Sequence, residues 1–436
     1  MHLPVTIIGA GLAGCEAAWQ LARHQIPVTL YDMKPEKFSP AHGNPDLAEL
    51  VCSNSLRSDS PEQAAGLLKR EMEECHSLIM KIARQTQVPA GSALAVDRQA
   101  FAHQVTEAIT SQPMITLVRR EISQLPAEAL VIVATGPLTS EPLTASLAGL
   151  VGEQLHFYDA TAPIVAADSL DYGKCFWGNR YQPEDKGDYL NCPLTEEEYL
   201  QLVQTIADGD QVQAHVFEDQ KVFEGCMPIE AMVARGTNTL AFGPLKPVGL
   251  INPWTGRQPH AVVQLRPENR EATMLNLVGF QTRLSFGWQE KVIHLIPGLE
   301  AATIYRYGTI HRNTFINAPQ ILNRCFQHQQ EPRLFFAGQI SGVEGYIESA
   351  ASGLSVGLQA ALLLKTGAFA PFPETTALGA LASHISNTHS KNFQPMNINF
   401  GLFPPLGTKM KKAARKAAYS QRAMHDLRLW LQEYSL

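Results

Sequence analysis

Two glycine-rich segments, at opposite ends of the chain, have the residue types and spacing of phosphate cradles. Near the start, Gly9-Ala10-Gly11-Leu12-Ala13-Gly14 follows the apolar run 4–8 and opens a helical stretch. Gly9 permits a tight turn, Gly11 lets backbone approach a pyrophosphate, and Gly14 lets the helix pack on the strand. The helix N-terminus then presents unpaired N–H groups and a positive dipole end to the phosphates. Asp32 follows Gly14 by 18 residues, at the end of the next strand, where a carboxylate accepts from ribose hydroxyls. A lone G-x-G-x-x-G is weak. With strand, helix and acid in place it points to a dinucleotide.

The second segment, residues 335–353, reads FFAGQISGVEGYIESAASG. Residues 334–338 have the pattern of a buried strand ending in a turn at Gly338. Gly342, Gly345 and a helix from Tyr346 then present a second helix N-terminus. In flavoproteins such a segment serves the pyrophosphate or ribityl chain, so the pair of segments selects FAD over NAD. A third strand-like run, 129–134, ends in Thr135-Gly136-Pro137, a turn common where a flavoprotein chain passes under the adenine side of its cofactor. The alternatives are a plain strand-to-loop turn at Gly136 and a packing role for the later glycines.

The elements that hold these groups follow from periodicity. Residues 4–32 read as strand, turn, helix, strand. Ser60-Pro61-Glu62-Gln63 starts a helix that continues to about Arg84. From about 166 to 304, short alternating runs such as 261–265 are punctuated by Gly, Pro and aromatics, the texture of a mostly antiparallel sheet. Thr195 caps a helix through Ile206, with Glu196 to Glu198 at its positive end. Residues 371–405 read as loop, and a final helix runs from about Gly407 to the end. The expected fold class is α/β: an FAD-binding, Rossmann-like domain of glutathione-reductase type (1–165 and 305–436), interrupted by a mixed, mostly antiparallel α+β insert (166–304) that carries substrate.

At 436 residues two domains are the default, and 45% hydrophobic with 17% charged residues indicates a folded, soluble protein. The formal charge of −6 leaves no global basic field, so a nucleic-acid partner needs a local patch. No apolar run reaches the roughly 20 residues of a membrane helix, and no charged n-region precedes the first strand, so neither a membrane span nor a signal peptide is expected. The seven cysteines (Cys15, Cys52, Cys75, Cys175, Cys192, Cys226, Cys325) form no C-x-x-C pair, which argues against a metal site and against a disulfide reductase. Their odd number and the lack of N-x-S/T sequons fit a reducing cytoplasm.

Longer segments carry a resemblance. Residues 222–230 (VFEGCMPIE), Arg235-Gly236, 239–250 (TLAFGPLKPVGL), 49–58 (ELVCSNSLRS), 307–317 (YGTIHRNTFIN) and the C-terminal glycine segment resemble the folate- and FAD-dependent tRNA uracil-5-methyltransferases, along essentially the whole chain. Asp32 stands where many relatives have Glu, a like-for-like carboxylate. The resemblance implies methylation of C5 of the T-loop uridine in tRNA, with 5,10-methylenetetrahydrofolate as carbon donor, reduced flavin as electron donor, and NADPH or NADH recharging the flavin. Uracil C5 is a poor nucleophile until a thiolate adds at C6, and its proton must later leave to a base. Cys226, in a turn-like context, is assigned as the nucleophile, and Cys52 as the base, with exchanged roles open. Arg57 could activate a nearby thiol if it folds back. Cys15, Cys75 and Cys325 are expected to be small buried hydrophobes.

For the folate, His311, Arg312, Asn313 and Tyr346 belong to matching segments near the expected flavin ring; Lys246 and Arg283 are further candidates. For RNA, the tail offers Lys409, Lys411, Lys412, Arg415, Lys416, Arg422 and Arg428 against only Asp426 and Glu433. It reads equally as a basic face for phosphates and as a solvated helix docked through Leu427, Leu429, Trp430 and Leu431. Rival readings are the same chemistry on ribosomal RNA, a related and longer flavoprotein of tRNA wobble-uridine modification, and a flavin-binding redox sensor without turnover. Nothing in the sequence fixes an oligomeric state.

Overall fold

Short, wholly apolar runs build the first layer. In the computed structural model, which describes residues 4–127, 130–152, 155–181, 187–211, 227–388, 393–407 and 410–434, five strands pair in parallel. Val5–Ile8 lies at the centre, between Val28–Asp32 and Val131–Val133. Ile115–Arg119 and Leu334–Phe336 form the edges. The strands Val131–Val133 and Leu334–Phe336 are buried at every position, as expected where helices cover both faces. The architecture is thus α/β, and the chain's far end supplies an edge of the sheet that its first residues begin.

Two helices clamp this sheet. Leu12–Arg23 packs along Tyr346–Thr366, and glycine sets their separation. A Cβ at Gly353 would lie 2.1 Å from the Ala13 carbonyl oxygen, and one at Gly357 2.8 Å from that of Ala17. The contacts advance in step along both helices, so the two N-termini share one end. Against the expectation that no run reaches membrane-helix length, Tyr346–Thr366 does so by length and composition (an 18-residue stretch of mean hydropathy 1.4), but 83% of that stretch is buried, so its apolar surface is spent on protein.

A second sheet of six strands is antiparallel, in the order Phe176–Gly178, Tyr189–Leu194, Ala261–Pro267, Met274–Leu277, Ile164–Ala166, Ile304–Arg306. It has its own core, in which Tyr199, Leu202 and Ile206 of the helix Glu196–Ala207 are buried. That helix has the capping box of Thr195 and Glu198. The run expected to alternate, within Ala261–Pro267, is buried at all seven positions, because it is a central strand covered on both faces.

Expectations for three further segments fail. The helix foreseen from 60 to 84 is two helices, Ala64–Glu74 and Leu78–Gln85. His76 between them has φ 57°, and Ser77 starts the second by accepting from the Met80 N–H. Gln63, not Ser60, precedes the first, because residues 60–63 turn back toward Gly66. The loop foreseen over 371–405 contains the helix Ala377–Ile385, capped by Thr376 and by the buried carboxylate of Glu71, which accepts from the N–H groups of Ala377 and Leu378. The last helix is Lys412–Glu433; Leu427 and Trp430 dock on the core, whereas Leu429 is exposed.

Candidate functional site

The shared end of the two clamped helices opens on a cleft. Its walls are residues 8–13, Asp32 at the end of its strand, the turn 134–140, and Gly338, Gln339, Tyr346 and Ser349 from the far end of the chain. Gly9 has φ +101°, and a Cβ there would meet the Ala134 carbonyl oxygen at 2.5 Å. A Cβ at Gly14 would meet the Gly9 oxygen at 1.8 Å, so Gly14 serves packing and does not line the cleft. Gly11 differs: a Cβ there would meet no protein atom within 4 Å and would project into open space. Neither Leu12–Arg23 nor Tyr346–Thr366 has a side-chain cap at its N-terminus. Two uncapped helix ends with an open glycine between them fit a diphosphate.

Asp32 is 7% exposed, and its carboxylate accepts from the Lys34 N–H at 2.8 Å. Burial pushes its carboxyl above the ordinary value, against the pull of that hydrogen bond and of the Lys34 charge. Thr135, Gly136 and Pro137 lie on the cleft wall. Gly342 and Gly345 do not: they adopt positive φ and pack against Phe393 and Glu348.

At one side the cleft meets the loop of Cys52. Glu49 and Val51 line the cleft, and the Tyr346 hydroxyl accepts from the Cys52 N–H at 2.6 Å and the Ser53 N–H at 3.3 Å. Burial pushes the Tyr346 phenol up. Three arginines fix the same loop. Arg98 donates to the Leu50 carbonyl at 2.7 Å and pairs with Glu268, and Arg306 donates to the Val51 carbonyl. Arg266, 5% exposed, donates to Asn54 Oδ1 at 3.0 Å and Ser53 Oγ at 2.8 Å. Arg57 does not supply this support. Its left-handed backbone turns it to the buried Glu348, 2.8 Å away. Arg98, Arg266 and Arg306 are the site residues that sequence reasoning missed. Arg306 alone adjoins a matching segment, 307–317; nothing local in the sequence signals Arg98 or Arg266.

The other predicted residues separate. Cys226 and Lys409 lie outside the described residues, as do the side chains of His311, Arg312 and Lys412. Four residues after Cys226, Glu230 is fixed by the Thr282 hydroxyl and by the N–H groups of Arg283 (2.9 Å) and Leu284 (3.0 Å). Asn313 is buried in Ile310–Phe315, whose Thr314 N–H reaches the Pro137 carbonyl. Lys246 sits over the Tyr181 ring at 5.6 Å, away from the cleft walls. Lys411 and Arg415 are exposed; Arg422 donates to the Pro404 and Pro405 carbonyls and Arg428 pairs with Glu74. Cys15, Cys75 and Cys325 are buried thiols, as expected, and burial pushes Cys325 up to about 12.

Known proteins resemble this chain over its whole length. The family described as Glucose inhibited division protein A matches residues 4–367. A methylenetetrahydrofolate--tRNA-(uracil-5-)-methyltransferase TrmFO of Pelobacter propionicus is 57% identical over 437 residues, covering 100% of this chain and 96% of its own. The protein of that name from Geobacter sulfurreducens is 56% identical and covers 98% of each chain. Among solved structures, Aquifex aeolicus GidA shares the fold with a TM-score of 0.72 at 15% identity, over 98% of this chain and 73% of that one. The chain belongs to the Glucose inhibited division protein A family and, within it, to the group whose members bear the TrmFO name.

Proposed function

We propose that this protein methylates C5 of the T-loop uridine of tRNA, taking the carbon from 5,10-methylenetetrahydrofolate. The observation that carries the reading is the junction of cleft and cysteine loop, where Tyr346 lines the one and holds the Cys52 N–H of the other. The name borne by full-length relatives supplies the substrate class. FAD held in the cleft would supply the electrons that turn a transferred methylene into a methyl group, with NADPH or NADH as their source. The chain would hold its pyrophosphate at Gly11 and the two helix ends, and a ribose at Asp32.

Cys226 adds to uracil C6, so that C5 gains electron density, and leaves once the product forms. Cys52 takes the C5 proton. Arg98, Arg266 and Arg306 hold the Cys52 loop by carbonyls and side chains from two separate layers of the fold. That fixes the thiol's backbone relative to the cleft, which is the positioning a proton transfer requires. The deciding experiment supplies unmodified tRNA with labelled methylenetetrahydrofolate and NADPH. Label should appear at C5 of the T-loop uridine, be absent from ribosomal RNA, and vanish in Cys226→Ala while the protein stays yellow. Labelling of ribosomal RNA in its place would overturn the substrate, and a colourless folded protein that takes up no FAD would overturn the cofactor.

A further inference from the structure

The antiparallel sheet exposes an aromatic face at its outer edge that the chemistry above does not use. Tyr181, at the end of the segment following Phe176–Gly178, is 65% exposed, and Trp254 is 54% exposed. Trp254 stands on a tight turn: Asn252 Oδ1 accepts from the Trp254 N–H at 2.9 Å, and the Asn252 N–H reaches the Arg257 carbonyl at 2.9 Å. Its ring meets Phe176 edge-on, centroids 6.2 Å apart. Phe242 is 84% exposed on the same stretch of chain. Three large rings left in water, two of them (Tyr181 and Trp254) tied to the edge of the sheet, mark an interaction surface.

Charge selects the partner. Between Glu230 and Glu268 the chain has no acidic residue, and Arg235, Lys246 and Arg257 stand there outside the core, whereas Arg266 is buried against Ser53 and Asn54; the acids nearest in sequence, Glu184, Asp185 and Asp188, follow Tyr181. Lys246 Nζ lies 5.6 Å from the centre of the Tyr181 ring, so cation and aromatic face one another at the surface. Aromatic faces interleaved with cations bind unpaired nucleotides, because every base has a stacking face and every link a phosphate.

The face is also wired to the cysteine loop. Asn191 donates to the carbonyls of Phe176 (3.1 Å) and Gly178 (3.0 Å) and accepts from Gln264 at 2.8 Å. Two residues on, Arg266 holds Ser53. These buried polar contacts cross three adjacent strands, which at about 4.8 Å per strand puts the edge roughly 10 Å from the strand that grips the loop.

We propose that this face docks single-stranded RNA, with unpaired bases near the target uridine stacking on Trp254, Tyr181 and Phe242. The proposal rests on the RNA-methylation reading above and adds where the RNA loop is held. The test uses the full-length holoenzyme, an unmodified tRNA transcript, and a duplex RNA of equal length as the probe without unpaired bases. Trp254→Ala and Tyr181→Ala should each weaken transcript binding by about 5- to 100-fold, and Trp254→Phe by far less. Flavin absorbance and duplex binding should not change. The loss should be equal at low and high salt, whereas Lys246→Gln should lose more at low salt. Unchanged transcript affinity in both alanine variants overturns the docking face, and methyl transfer by the unaltered enzyme then keeps the functional reading. An unaltered enzyme that neither binds nor methylates the transcript overturns both. A dimer seen by ultracentrifugation, or binding to phosphatidylglycerol vesicles, that Trp254→Ala abolishes would assign the face to a second copy or a lipid surface and overturn the RNA role.

Discussion

Gly11 and Gly14 lie three residues apart in one motif, yet the space around them predicts opposite outcomes. A methyl group at Gly14 collides with the Gly9 carbonyl at 1.8 Å, inside the core of the fold. A methyl group at Gly11 meets no protein atom. Gly14→Ala should therefore destabilise the flavin-free protein by about 1–3 kcal/mol, the scale of an overpacked core, and lower its melting temperature. Gly11→Ala should leave that temperature alone and weaken FAD uptake at least tenfold. Equal flavin affinity in Gly11→Ala would remove the pyrophosphate from that position. Tyr346 gives a second test. Its hydroxyl serves two backbone N–H groups of the cysteine loop, and Tyr346→Phe leaves both without that acceptor, a cost of about 1–3 kcal/mol. Methyl transfer should drop at least tenfold while flavin stays bound. Full activity in the variant would show that the loop is positioned by its arginines alone.

Elements are tied here by carboxylates acting at long range. Glu71 accepts from the N–H groups of Ala377 at 2.7 Å and Leu378 at 2.9 Å, while burial pushes its carboxyl up to about 8. The folded state then keeps a proton that the unfolded chain releases above about 4.5. The stability contributed is complete below that value and is lost as pH rises through about 8, at up to roughly 1.4 kcal/mol per pH unit. Glu71→Gln cannot ionise. Its melting temperature should gain on the unaltered protein across that window, and the two should run parallel below about 4.5. Parallel profiles throughout would mean that the helix N-terminus holds the carboxylate charged at its ordinary value. This contact also explains what the sequence concealed. The glycine cradle and the Thr195 cap are legible because their determinants lie within a few residues of one another. The helix Ala377–Ile385 is capped partly from Glu71, 306 residues away, and no local pattern announces that. Arg266 reads as one polar position in a strand until Ser53 and Asn54, from another layer, meet it.

Over the whole molecule, chain ends and centre are interlocked, and the C-terminal helix shows how one element serves both packing and charge. Ala423, Leu427 and Trp430 are buried, and the Trp430 ring lies 4.2 Å from that of Phe372. Arg422 and Arg428 are committed to protein partners. Lys411 and Arg415 are exposed at the opposite end, next to the helix N-terminus, where a positive charge gains nothing from the dipole. Deleting residues after Gly407 strips the buried side chains together with the exposed cations, so loss of RNA binding in that truncation would not separate the two roles. The double substitution Lys411→Gln, Arg415→Gln does separate them, because it removes two charges and no buried surface. If both contact phosphates, the slope of log K against log salt should become shallower by roughly 1.4 to 1.8, with the melting temperature unmoved. The loss should be greatest at low salt, the reverse of a stacking defect, whose size does not follow ionic strength. An unchanged slope would confine the helix to docking and leave the phosphates to cations elsewhere, of which Arg235, Lys246 and Arg257 lie in the acid-free stretch between Glu230 and Glu268.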